Sequence, residues 1–113
     1  MAELASKKCV PCQIGAPVLS KEKAEELLKR VSGWAFIENA KKIQKTFEFR
    51  DFAAAMKFLN KAAEIAEKEG HHPDFFVSYN KITFTLFTHK INGLHENDFI
   101  LAAKMDKIKK DND

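Results

Sequence analysis

The sequence predicts an α+β fold in which helices cover one face of a four-stranded antiparallel sheet. Apolar residues recur at helical spacing in three segments and alternate with polar residues in four shorter segments, in the order α-β-β-α-β-β-α. The chain has 113 residues, of which 45% are hydrophobic and 31% charged, and this composition is typical of one soluble globular domain. We therefore expect an irregular arm over residues 1–19 and a single domain over residues 20–113.

Three helices are indicated by apolar residues spaced three and four positions apart. Ser20 can cap the first helix, and Gly33 is expected to end it. Asp51 can cap the second helix, Gly70 ends it, and the third helix begins at about Glu96. The apolar positions expected to face the core are Ala24, Leu27, Leu28 and Val31, then Phe52, Ala55, Met56, Phe58, Leu59, Ala62, Ala63, Ile65 and Ala66, and finally Leu101, Met105 and Ile108.

Four strands are indicated by a period of two. A break at residues 38–41 separates the first strand from the second, and Asn80 and Lys81 are expected to form the turn between the third and the fourth. Trp34, in the first strand, is interpreted as a core residue rather than an oligomer contact. The alternating apolar residues are Trp34 and Phe36, then Ile43, Phe47 and Phe49, then Phe75, Val77 and Tyr79, and finally Ile82, Phe84 and Leu86.

All four histidines lie between residues 71 and 95, around the second hairpin. If the hairpin turn lies at residues 80–81, His72 pairs with His89 across the two strands. A shift of one residue in this pairing would place His71 opposite His89 instead. Consecutive residues of an extended segment point to opposite sides, so His71 and His72 should play different parts. The sequence therefore predicts a site of three histidines on the sheet face away from the core. That face also carries Thr83, Thr85 and Phe87.

Two other interpretations of these histidines remain open. A polar sheet face can collect histidine and threonine because it is exposed, and histidines between Gly70 and Pro73 can be ordinary loop residues. Three histidines can also bind zinc, but neither a helical histidine spacing nor a carboxylate at ligand spacing supports such a site. We therefore expect no metal.

A longer pattern surrounds the histidines. Glu67 is followed after three residues by His71, His72 and Pro73, after five more by Tyr79, after nine more by His89, and after eight more by Asp98. In this pattern the chain resembles the pterin-4a-carbinolamine dehydratase family, and it matches the family's motif at every position. The resemblance covers about residues 20–108 and includes Gly33 and Trp34, the run Phe47, Phe49, Asp51 and Phe52, and the turn Tyr79, Asn80 and Lys81.

The resemblance implies a fold of the order given above, assembled into dimers or tetramers, and dehydration of 4a-hydroxytetrahydrobiopterin to quinonoid dihydropterin. This lyase activity recycles the cofactor of aromatic amino acid hydroxylases and needs no metal or organic cofactor. Animal members of the family also serve as a dimerisation cofactor for a homeodomain transcription factor, so a binding role is the main alternative. By the family pattern, His71 and His89 are the acid and base, and His72 with Pro73 binds the pterin.

Two carboxylates complete the predicted catalytic set. Glu67 lies four residues before His71 and could orient an imidazole, although a solvated carboxylate in a charged run is nearly as good an interpretation. Asp98 belongs to the motif and also occupies the capping-box position three residues after His95. Histidine is a poor N-cap compared with serine or threonine, which favours a site role for Asp98.

The bulk properties exclude several classes of function. The net charge of +3 arises from 19 basic and 16 acidic residues spread along the chain, so we expect no direct nucleic-acid partner and no membrane surface. No apolar stretch is long enough to span a bilayer, and the N-terminus does not resemble a signal peptide, which predicts a cytoplasmic protein.

Cys9 and Cys12 are the only cysteines, and they lie in the arm. Their spacing is found in redox and zinc sites, but without a second pair in the chain zinc would need two subunits. Both fall outside the motif, so the arm is expected to be dispensable for turnover.

Overall fold

The computed structural model describes residues 4–7, 9 and 18–111. It confirms the predicted α+β class and element order. None of the helices in this part of the chain is long and apolar enough to cross a membrane. The elements are a 3-10 helix at Leu4–Ser6, α1 at Lys21–Leu28, β1 at Ala35–Ile37, β2 at Lys42–Glu48, α2 at Phe52–Glu69, β3 at Asp74–Ser78, β4 at Lys81–Leu86, a second 3-10 helix at His89–Ile91, and α3 at Glu96–Asp111.

The sheet is antiparallel throughout, with the strand order β1-β2-β4-β3, so that β1 and β3 form its edges. One face of the sheet packs against the helices and holds the core. The other carries polar pairs, in which Gln44 donates to Thr85 at 3.1 Å and the hydroxyls of Thr46 and Thr83 lie 2.8 Å apart. The buried apolar side chains of the core face are Ile43, Phe47, Ile82, Phe84 and Leu86.

The predicted helix caps are confirmed in three of four cases. Ser20 Oγ accepts the backbone N–H of Lys23, Asp51 Oδ1 accepts that of Ala54, and Gly70 ends α2 in the left-handed conformation with φ of 67°. The prediction that Gly33 ends the first helix is wrong. The helix ends at Leu28, because the backbone N–H groups of Arg30 and Val31 donate to carbonyls only three residues back.

Trp34 is a core residue, as predicted. Its side chain is buried and meets the ring of Phe47 edge to face at a centroid distance of 6.1 Å. The indole N–H donates to Asp106 of α3 at 3.1 Å, and Lys45 Nζ lies 2.7 Å from the same carboxylate. A buried indole therefore has its hydrogen-bond partner within the chain.

The pairing register between β3 and β4 is shifted by two residues from the predicted register. Ser78 pairs with Lys81, which leaves Tyr79 and Asn80 in the turn. The backbone of Tyr79 is left-handed there, with φ of 51°, and the Asn80 side chain donates to the carbonyl of Phe49 at 2.8 Å. These contacts tie the turn to the β2–α2 connection. An even shift keeps every side chain on its predicted face, but it changes which residues lie opposite the histidines.

Candidate active site

His71 lies directly after the left-handed cap of α2. Its backbone N–H donates to the carbonyl of Ala66 at 3.0 Å, which fixes the chain where it leaves the helix. Its ring Nε2 lies 2.6 Å from Oδ1 of Asp98, at the start of α3. The side chain of His71 is 11% exposed and that of Asp98 is fully buried, so this hydrogen bond joins the ends of two helices inside the protein.

Asp98 is the common hydrogen-bond acceptor of the site. Besides His71 it accepts the hydroxyl of Thr88 at 2.9 Å and the backbone N–H of His95 at 3.0 Å, both on Oδ2. The second of these is a capping-box contact, and His95 Nδ1 in turn accepts the N–H of Asn97 at 3.0 Å. His95 therefore does cap α3, and Asp98 has both the structural and the site role. Three donors satisfy a buried carboxylate that would otherwise be costly.

Thr88 was missed by sequence reasoning. The alternation of β4 places it on the core side of the sheet beyond the last apolar residue, and its side chain is buried. The sequence signal that could have identified Thr88 is its position one residue before His89, a histidine of the motif. It links His89 to the buried carboxylate through one peptide unit and one hydrogen bond.

The prediction that His89 lies across the ladder from His71 or His72 is wrong. β4 ends at Leu86 and β3 begins only at Asp74, and His89 starts the second 3-10 helix, with Thr88 as its N-cap. The imidazole of His89 instead contacts the ring of Phe87, at a centroid distance of 4.1 Å. His89 is exposed, and its neighbour Thr88 donates to Asp98.

His72 forms a separate pair with Glu67. Its Nε2 lies 2.8 Å from Glu67 Oε1, so this carboxylate contacts an imidazole, but that of His72 and not that of His71. The two side chains are 65% and 80% exposed, so the pair itself contributes little to stability. Pro73 follows, half-buried, at the entry to β3. The neighbouring histidines thus have different partners, one buried (Asp98) and one exposed (Glu67).

The arrangement suits proton transfer. A carboxylate that accepts from Nε2 fixes the histidine tautomer in which the Nδ1 lone pair is available as a base. Among residues 4–7, 9 and 18–111, no three histidine, cysteine or acidic side chains form a group that could hold a metal ion. The predicted Cys9 and Cys12 pair lies partly outside the described residues, since these include Cys9 alone.

Comparison with known proteins agrees with the motif. The sequence profile of the family described as pterin 4 alpha carbinolamine dehydratase matches residues 17–108. A protein of Methylococcus capsulatus, provisionally named a pterin-4-alpha-carbinolamine dehydratase, is 48% identical over 93% of this chain and 92% of its own length. A protein of Azoarcus with the same provisional name is 44% identical over 94% of this chain and 91% of its own length.

Two solved structures are also similar. The first, from Brucella melitensis, is described as a transcriptional coactivator/pterin dehydratase and is 38% identical, with a TM-score of 0.78 over 81% of this chain and 98% of its own. The second is a pterin dehydratase-like protein described as a RuBisCO assembly factor in the alpha-carboxysome, 25% identical, with a TM-score of 0.60 over 67% of this chain and 88% of its own. By its matched profile and its relatives, this chain belongs to the pterin-4a-carbinolamine dehydratase family.

Proposed function

We propose that the chain is a lyase that eliminates water from 4a-hydroxytetrahydrobiopterin to give quinonoid dihydropterin, as part of pterin recycling in the cytoplasm. The observation that carries the proposal is the hydrogen bond of 2.6 Å between nearly buried His71 and fully buried Asp98. A buried carboxylate that holds an imidazole in one tautomer is a recurring device of acid–base catalysis. Family membership supplies the substrate class.

The chemistry requires one base and one acid that both work near neutral pH. The base removes the proton from the ring nitrogen of the carbinolamine, the electron pair of that N–H bond forms the C=N bond, and the C–O bond breaks as the acid protonates the leaving hydroxyl. We assign the base to His71, because Asp98 accepts from its Nε2 and leaves Nδ1 free to take a proton. His89, exposed and next to Thr88, is then the acid.

His72 and Pro73 are proposed to bind the pterin. The imidazole of His72 is exposed and held by Glu67, which suits a group that orients a ligand at the rim of the site. On this proposal Glu67 acts through His72, whereas Asp98 acts through His71.

The test is stopped-flow measurement of the dehydration of freshly generated 4a-carbinolamine, with and without the protein. We expect the protein to accelerate the reaction above the spontaneous rate. An observed rate equal to the spontaneous rate at micromolar protein would reject the proposal.

A binding role is the second candidate, because the Brucella melitensis relative is described as a coactivator as well as a dehydratase. Substitution of the histidines distinguishes the two functions. A module that only binds a partner protein tolerates alanine at positions 71 and 89, whereas a dehydratase does not.

We also propose that the chain forms a homo-oligomer, a dimer or a tetramer. β3 is an edge strand whose sequence contains neither lysine nor proline to discourage pairing, and Phe75 and Phe76 are 52% and 69% exposed. The sheet face with Thr83, Thr85 and the following Phe87 is not covered by a helix of the described chain. A second copy that pairs along β3 would cover both phenylalanines.

A further inference from the structure

The N-terminal arm contacts the two helix ends that carry His71 and Asp98. The backbone N–H of Cys9 donates to the carboxylate of Glu69 at 2.7 Å, and the Cys9 thiol donates to the carbonyl of Asn97 at 3.6 Å. Glu69 is the last residue of α2 and precedes His71 by two positions, while Asn97 immediately precedes Asp98. Cys9 therefore bridges the same gap that the His71–Asp98 hydrogen bond spans.

Other contacts anchor this bridge on α3. Leu4 is buried in the core, Lys7 forms an ion pair of 3.0 Å with Glu96, and Lys104 donates to the carbonyl of Ala5 at 2.9 Å. Exposed ion pairs alone would attach the arm only weakly. A buried leucine and a half-buried charge-assisted hydrogen bond hold it more firmly.

The end of the arm also fixes the loop that follows His89. The backbone N–H of Leu19 donates to the carbonyl of Leu94 at 2.9 Å. Val18 packs so closely on Gly93 that a Cβ at that position would lie 2.6 Å from Val18 Cγ1. Gly93 in turn pairs with Thr88, whose N–H donates to the Gly93 carbonyl at 2.8 Å. Both ends of the described arm thus rest on segments of the site.

We propose that Glu69 is a positioning residue: through its hydrogen bond to Cys9 it uses the arm to set the distance between the end of α2 and the start of α3, and so the geometry of the His71–Asp98 pair. This proposal replaces the expectation that the arm is dispensable for turnover. Its consequence for catalysis rests on the proposed dehydratase function, whereas its consequence for the His71–Asp98 hydrogen bond does not.

The test compares Glu69→Ala with Glu69→Gln in the full chain. Glutamine retains an oxygen that can accept the Cys9 N–H, whereas alanine removes it. Glu64→Ala is the matched control, because it removes the same charge from an exposed position of α2. The direct measurement is the NMR resonance and the solvent exchange rate of the proton on Nε2 of His71, with circular dichroism as the check on folding.

We expect Glu69→Ala to shift this proton and to accelerate its exchange, and Glu69→Gln and Glu64→Ala to resemble the unmodified protein. In the dehydration assay Glu69→Ala should lower kcat by about tenfold to a hundredfold with little change in KM, because small misplacements of a catalytic group are costly. An unchanged His71 proton in folded Glu69→Ala would overturn the proposal, even if the chain is an active dehydratase.

A second pair of variants removes the hydrogen bond from the arm side and keeps the test decisive if Glu69→Ala does not fold. Cys9→Pro eliminates the backbone N–H, and Cys9→Ser retains it. We expect Cys9→Pro to shift the His71 proton and Cys9→Ser to leave it in place. An identical His71 proton in the two variants would count against the proposal. If the unmodified chain shows no dehydration, the proposed function fails, but these NMR results still decide the role of Glu69.

Discussion

His71 and Asp98 are 27 positions apart in the chain, yet their side chains meet at 2.6 Å in the interior of the protein. The segment that follows the Gly70 cap of α2 supplies the imidazole, and the first turn of α3 supplies the carboxylate. Because Asp98 also accepts from Thr88 and from the backbone of His95, its position is determined by the fold rather than by the histidine. The imidazole is therefore held by a carboxylate that cannot readily move.

Replacement of the two proposed proton-transfer groups should separate catalysis from binding. His71→Ala and His89→Ala should each lower kcat by about 10² to 10⁴, the contribution of a positioned acid or base. His72→Ala should act mainly on KM, because its exposed imidazole is proposed to orient the pterin. Steady-state kinetics of the three variants check this, and full turnover in the His71 and His89 double variant would contradict it.

Much of the fold could be predicted because its signals are local. Ser20, Asp51 and Gly70 act within one turn of their own helices, and the period of two identifies β4 regardless of its partner. The hairpin register could not be predicted, because it depends on a hydrogen bond between Asn80 and Phe49, and these residues are 31 positions apart in the chain.

The geometry of the candidate site could not be predicted from the sequence. The motif contains His71, His89 and Asp98. Counting strand pairs from the turn, however, could not show that β4 ends before His89 or that His89 lies in a 3-10 helix. The role of Asp98 as a common acceptor became visible only when α3 was placed against the end of α2. Thr88 was missed for the same reason, since its partner is a helix and not a strand.

Asp98→Asn should impair both stability and turnover. The amide has one acceptor oxygen where the carboxylate has two. Either Thr88 and the His95 N–H lose their acceptor, or His71 Nε2 faces an amide N–H and the imidazole must move its proton to Nδ1. We expect a loss of about 1 to 3 kcal/mol of stability, measured by urea unfolding, together with a lower kcat. Asp106→Asn is the control on the same helix: it weakens contacts to Trp34 and Lys45 and should lower stability alone. Equal effects of the two variants on kcat would contradict the site role of Asp98.

The proposed oligomer should form through the exposed edge. Light scattering at micromolar concentration should give a mass above the 12.9 kDa of one chain. Phe76→Lys places a charge on the most exposed aromatic side chain of β3 and should shift the mass towards that of a monomer. Ala63→Lys, at an exposed position of α2 on the other side of the sheet, is the comparison. A monomeric mass for the unmodified chain would refute the proposal.

The Cys9 thiol should make the protein less stable at high pH. Burial, with a further contribution from the Glu69 carboxylate, raises the pKa of Cys9 from 9.0 to about 12. The folded chain therefore keeps a proton that the unfolded chain loses above its lower pKa. The stability that this proton contributes is present below pH 9.0 and is lost as the pH rises towards about 12.

The measurement is the free energy of urea unfolding at about pH 8 and about pH 10.5, on either side of the ordinary thiol pKa. Cys12→Ser is the reference chain, so that one thiol is followed, and Cys12→Ser with Cys9→Ser is the comparison. Lysine and tyrosine titrate in both chains and cancel in the difference. The chain that retains Cys9 should lose more stability between the two pH values, because only its folded state holds a thiol proton there. Equal losses in the two chains would show that Cys9 is not enclosed by α2, α3 and the arm.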